Sequence, residues 1–261
     1  MNTEAAIETQ RFPLSGYLKL TKPSIIYLLV LTAATSMFLA NGFDGSLSKI
    51  IFGLIGIALI ASSSAVINQI LDVEIDSKMV RTKNRPLVIG EISQKSAKTF
   101  AVALLVSGII ILFAFNNVLT IFLTLLTWAF YSFFYTKILK FAGTQNIVIG
   151  GIAGAMPPLL GWTAITNSID ALPLLMVLII FIWTPPHFWS LALFMKSDYD
   201  IAKVPMLTVT NGRRSTRNHI FVYSILLAFV ALSIGFSSLS GPIYLVVALI
   251  LNMQLLSLIH I

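Results

Sequence analysis

Eight predominantly apolar stretches, near residues 24–41, 50–71, 97–115, 118–137, 144–164, 172–195, 219–238 and 242–260, leave this chain few ways to fold. Each has about the length, ~20 residues, that carries a helix across a hydrocarbon core of about 30 Å. An open strand in lipid cannot satisfy its own N–H and C=O groups, so each stretch is predicted to be a helix. The whole is an all-α polytopic membrane bundle with eight transmembrane helices, the third and fourth divided only by Asn116-Asn117. Composition agrees: 57% of residues are hydrophobic and 10% charged, against about a quarter charged in soluble domains. No cysteine is present, which excludes disulfides, thiolate metal sites and cysteine nucleophiles.

Residues 1–23 form a polar, interfacial N-terminal segment and residues 24–261 a single transmembrane domain. The segment lacks the apolar run and cleavage site of a signal peptide, and Glu4 and Glu8 argue against a transit peptide. With a cytoplasmic N-terminus, every lysine and arginine except Lys49 falls in the tail or in the loops after the second, fourth and sixth stretches. That asymmetry orients the bundle and accounts for most of the net charge of +7, with no nucleic acid needed.

The informative stretch is 68–90, NQILDVEIDSKMVRTKNRPLVIG, with three acids and four bases at the edge of an apolar protein. If the helix through Ser62–Leu71 continues, Asn68, Asp72 and Asp76 share one face and Glu74 points elsewhere. Bare like charges at that spacing repel by roughly 0.2–0.5 kcal/mol in water and more where solvent is scarce, so a cation between Asp72 and Asp76 is expected. One amide and two carboxylates suit Mg²⁺, which completes its shell with water and phosphate oxygens. Lys78, Arg81, Lys83 and Arg85 then supply an anion clamp, and the pair of features predicts a phosphorylated ligand.

NQILDVEIDSKMVRTKNRPL resembles the first N-x-x-x-D-x-x-x-D motif of the UbiA-type intramembrane prenyltransferases. The D-x-x-M-x-R-T-x-x-R-P-L portion is similar to their haem O synthase (protohaem IX farnesyltransferase) branch. The likeness extends over roughly residues 15–240, through YTKILK…NIVIGGIAGAMPPLLGW and TPPHFWSLAL. It implies nine spans, so the last is expected to be missing here.

In the loop Tyr131–Gly143, aromatics and lysines suit an interfacial belt equally well. The resemblance makes Lys140 a diphosphate contact and Tyr131 and Tyr135 part of the acceptor pocket. Gly150-x-x-x-Gly154 reads as close helix packing, and Pro157-Pro158 as a helix break near one end of a pocket wall. His187 is an ionisable group inside a span, flanked by Trp183 and Trp189. It is read either as a hydrogen-bonded packing residue or, with Trp183, as an acceptor contact. At the family's second motif, D-x-x-x-D, this chain has Asp198-Tyr199-Asp200-Ile201-Ala202, so the last acid is absent and a second metal is in question. Asp198 is expected to face the first motif, Asp200 to be solvated and Lys203 to add positive charge. Asn211–Arg217 reads as a turn and a basic surface run.

The expected site is therefore Asn68, Asp72, Asp76 and Asp198 around Mg²⁺, with Lys78, Arg81, Arg85, Lys140 and Lys203 on the diphosphate. What the resemblance implies is farnesyl transfer from farnesyl diphosphate to a vinyl group of haem B, giving haem O for haem-copper terminal oxidases. The setting it implies is a prokaryotic plasma membrane, with the site facing the cytoplasm and haem-handling membrane proteins as partners. Two alternatives stay open: prenyl transfer to a quinone or chlorophyll precursor, or a secondary transporter whose paired acids serve another purpose.

Overall fold

The computed structural model describes residues 14–41, 46–202, 204–236 and 240–260. The described residues are mostly helical, joined by short turns except for the longer loop over 79–93, with no strand among them. In order they are α1 (Leu14–Leu20), α2 (Pro23–Asn41), α3 (Leu47–Leu71), α4 (Val73–Lys78), α5 (Gln94–Phe115) and α6 (Val118–Ala129). A π-helical segment (Phe130–Leu139) follows, then α7 (Lys140–Ala142), α8 (Asn146–Ala155), α9 (Pro157–Thr166) and α10 (Ala171–Phe194). The chain continues through α11 (Lys196–Ile201), α12 (Leu207–Thr210), α13 (Gly212–Gly235) and α14 (Pro242–His260).

Boundaries follow local chemistry. Ser93 caps α5, its hydroxyl accepting from the Ser96 N–H at 3.1 Å, and Asn117 caps α6, its side-chain Oδ1 accepting from the Thr120 N–H at 2.9 Å. Seven helices are long and apolar enough to cross a membrane. The eighth expected span is α14, whose apolar stretch Pro242–Ser257 is shorter. Two expectations are corrected. The turn is confined to Asn211, and the basic run Arg213–Arg217, exposed at its arginines as expected, does not precede the seventh span's helix but opens it as part of α13, which starts at Gly212. Pro157-Pro158 breaks its span at Met156, near the middle rather than near one end. Proline lacks the N–H an interior turn needs but suits the first turn of a new helix, so the helix restarts there.

Helix α3 is central, packing on α2, α5, α6, α9 and the π segment. Its middle joins Met37, Ile57, Ile60, Leu112 and Leu160 in the main core cluster. Close approach of α2 and α9 depends on Gly161, where a Cβ would collide with the Ala33 carbonyl. The two ends of the bundle differ. At one, Asn116 Nδ2 donates to the carbonyls of Lys49 at 3.1 Å and Ala164 at 3.2 Å, and Asn117 Nδ2 to Thr163 O at 2.7 Å. The acids of the 68–90 stretch lie at the other.

Candidate active site

Asp72 sits at the joint between α3 and α4, yet the hydrogen-bond ladder runs through it. Asp72 N–H donates to Asn68 O at 3.0 Å and Asp76 N–H to Asp72 O at 2.8 Å. Asn68, Asp72 and Asp76 therefore keep one face, and all three are buried. Glu74 turns outward, where it pairs with Lys78 at 2.8 Å in an exposed i, i+4 contact. Lys78, expected on the diphosphate, is thus engaged away from the acids.

Three bases converge on the buried face. Lys140 Nζ lies 2.8 Å from Asp72 Oδ2. Arg85 pairs with Asp76. It is turned back by a loop in which Thr82 Oγ1 donates to Asp76 O at 3.0 Å and Arg85 N–H to Thr82 O at 3.0 Å. The third base is Lys22, which sequence reasoning left among the orienting lysines. Its ammonium donates to Asn68 Oδ1 at 2.7 Å. Burial and then Arg85 push Lys22 down to about 8, against the opposing pull of Asp72 and Asp76. The signal that could have found it is Lys22-Pro23: proline disfavours a helical residue before it, so a corner must fall there.

The π segment completes this face. Its wider turn lets Thr136 Oγ1 donate to Tyr131 O, five residues back, at 2.8 Å. The same hydroxyl accepts from Asn68 Nδ2 at 3.2 Å, while that amide also donates to Asp72 Oδ2 at 2.9 Å. The Asn68 amide is thereby oriented with both N–H groups used and its oxygen presented to Lys22. Thr136 is a second residue the sequence did not single out. Tyr131 and Tyr135 stack with ring centroids 5.6 Å apart, and Gly150 admits the Tyr135 ring. Asn146, buried beside them, donates to Lys140 O at 2.9 Å and braces that lysine's backbone.

The remaining expected residues stand apart from this cluster. Asp198 is half-buried and Asp200 exposed on α11. Tyr199 of that helix and Ala202 just after it share a core cluster with Met79, against which Ile75 of α4 packs. Asp198 makes no hydrogen bond or ion pair with Asn68, Asp72 or Asp76 among the described residues. Arg81 and Asp198 flank Tyr199, whose hydroxyl is pushed up by burial, with Arg81 opposing and Asp198 reinforcing. Lys203 lies outside the described residues. Trp183 and His187 are exposed on α10 and stack 4.3 Å apart. Trp189 does not line a pocket with them. It is fully buried, edge-on to Tyr223 at 5.4 Å, because its position on α10 faces α13. Gly154 makes no close packing, with nothing within 4 Å of an added Cβ.

The donor set fits a hard divalent ion. Asn68 Oδ1 and the Asp72 and Asp76 carboxylates are buried oxygen donors, and Lys140 and Arg85 hold the carboxylates where such an ion would share them. No group of three or more His, Asp or Glu side chains gathers among the described residues. The metal would therefore take two carboxylates at most from this motif and the rest from amide, water and phosphate.

Residues 29–261 match the model of the UbiA prenyltransferase family. A protoheme IX farnesyltransferase of Legionella pneumophila (strain Lens) is 48% identical over 258 residues, covering 98% of this chain and 87% of the relative. Protoheme IX farnesyltransferase 1 of Pseudomonas putida (strain GB-1) is 46% identical over 250 residues, 96% of this chain and 84% of the relative. Among solved structures, a UbiA homolog from Archaeoglobus fulgidus bound to GPP and Mg²⁺ superposes with a TM-score of 0.75 at 18% identity, over 92% of this chain and 86% of that one.

Proposed function

We propose the following reaction for this chain, which belongs to the UbiA prenyltransferase family: transfer of a farnesyl group from farnesyl diphosphate to a vinyl group of haem B. The support is the naming of relatives at 46–48% identity. The observation that carries the chemistry is the buried Asn68–Asp72–Asp76 face with Lys22, Arg85 and Lys140 turned on it. Arg85 and Lys140 are paired with acids and Lys22 with the Asn68 amide oxygen, and each can be handed to phosphate oxygens once a metal takes those oxygens.

Asn68, Asp72 and Asp76 would hold Mg²⁺, which when bound neutralises the diphosphate and draws charge from the bridging oxygen. Asp198, which stands apart on α11, would join as a further ligand only by moving toward the bound diphosphate. Lys22, Arg85 and Lys140 receive the charge that develops on the leaving diphosphate as the allylic C–O bond breaks and the electron pair departs with it. Arg81, exposed beside Tyr199, serves the outer oxygens. The farnesyl cation then bonds to the terminal vinyl carbon. Water adds to the neighbouring carbon and loses a proton, which leaves a hydroxyethylfarnesyl group. No side-chain nucleophile takes part. Tyr131 and Tyr135 offer stacked rings beside the acids, and Trp183 with His187 a second aromatic face for the acceptor. The product serves haem-copper oxidases in a prokaryotic plasma membrane, with the acid-bearing end facing the cytoplasm.

The test is product mass from purified protein incubated with haem B, farnesyl diphosphate and Mg²⁺. Haem gaining a farnesyl unit plus water, lost with a chelator and in Asp72→Ala, is the expected result. Haem returned unchanged while farnesyl diphosphate still binds would remove haem as the acceptor.

A further inference from the structure

The corner between α1 and α2 carries two local costs that yield no packing of their own. Lys22 adopts φ 54° immediately before Pro23, a left-handed conformation that a β-carbon disfavours. Gln69, 2% exposed, buries its Oε1 with no hydrogen-bond partner, which a folded protein seldom tolerates. Strain of this kind persists where surrounding structure enforces it, and it points to a task at that position.

Both features have the same product. Gln69 Nε2 donates to Leu20 O at 2.9 Å and to Lys19 O at 3.3 Å, gripping the last turn of α1. Leu20, fully buried with Val66, Leu87 and Ile92, anchors that turn on the bundle. Two residues on, the left-handed step swings the Lys22 side chain inward to Asn68. Gln69 and Asn68 are neighbours on α3, one holding the backbone of the corner and the other meeting its side chain. We propose that Gln69 is a positioning residue for the reaction. By clamping the Lys19 and Leu20 carbonyls it holds the strained corner that delivers the Lys22 ammonium to the diphosphate. This rests on the reaction proposed above, since Lys22 is useful there only if a diphosphate binds.

A residue that merely ties α1 down would weaken the fold in every background, whereas one acting through Lys22 loses its effect once Lys22 is gone. The experiment is Mg²⁺-dependent binding of farnesyl diphosphate to the purified full chain, measured by calorimetry, for wild type, Gln69→Met, Lys22→Met and the double variant. Gln69→Met is expected to weaken binding by about 10- to 150-fold, the scale of one hydrogen bond to a charged group, and the double variant to bind no worse than Lys22→Met. Gln69→Asn, which adds no charge and draws the amide back by one methylene out of reach of both carbonyls, gives the same reading should Gln69→Met fail to fold. Equal binding by Gln69→Met and wild type overturns the role of Gln69 alone, as does an undiminished loss in the Lys22→Met background. A wild type that binds no farnesyl diphosphate overturns the reaction and this role together.

Discussion

Thr136→Val replaces a hydroxyl by a methyl of nearly the same size at a site only 2% exposed, so its consequence is set by hydrogen bonds rather than volume. Two are lost. The Tyr131 carbonyl is a backbone acceptor with a second lone pair and loses little. The Asn68 N–H is left buried with no acceptor, because its sister N–H is already used by Asp72. An unsatisfied buried donor costs about 1–3 kcal/mol, and the amide escapes that cost by rotating away from the orientation that presents Oδ1. The productive orientation then loses population by the same free energy, about 5- to 150-fold. Half-saturation by Mg²⁺ in farnesyl diphosphate binding should therefore rise by a factor in that range, and Thr136→Ser should restore it. A Thr136→Val protein that folds and keeps the wild-type Mg²⁺ half-saturation would refute the claim that this hydroxyl orients Asn68.

Other substitutions separate the site from its surroundings. Lys78→Gln removes only an exposed pair with Glu74, so kcat/KM should stay within about twofold; a larger loss would return Lys78 to the diphosphate. Gly161→Ala forces the α2 and α9 backbones apart and should lower stability by about 1–3 kcal/mol in detergent. Gly154→Ala, with open space at its Cβ, should leave the thermal midpoint unchanged or raised. Trp189→Phe deletes an indole N–H that has no partner but leaves a void at a fully buried site, so it should lower stability by about 1–2 kcal/mol while product formation matches wild type; a collapse in turnover would place Trp189 at the acceptor.

The spans were legible because lipid allows one backbone solution per apolar stretch, and the face of Asn68, Asp72 and Asp76 because helical spacing fixes it. Lys22 was not, since an orienting lysine and a buried one look alike until the corner before Pro23 is built. Thr136 was hidden by the π segment, whose wider turn changes which residues share a face, so a period of 3.6 misplaces everything after Phe130. Trp183 and Trp189 are chemically equivalent in the sequence. Only the packing of α10 on α13 separates them, and that depends on a partner helix far along the chain.

The amide lacing at the far end bears on the transporter alternative. Alternating access needs a second opening on the opposite side of the membrane, made when helices part there in turn. Asn116 and Asn117 tie the α5–α6 corner to the start of α3 and the end of α9 by bonds to main-chain carbonyls, which would have to be surrendered in every cycle. Among the described residues, one end of the bundle is thus laced by neutral amides to main-chain carbonyls and the other carries the buried acids and bases, an asymmetry that suits a site opening on one side only.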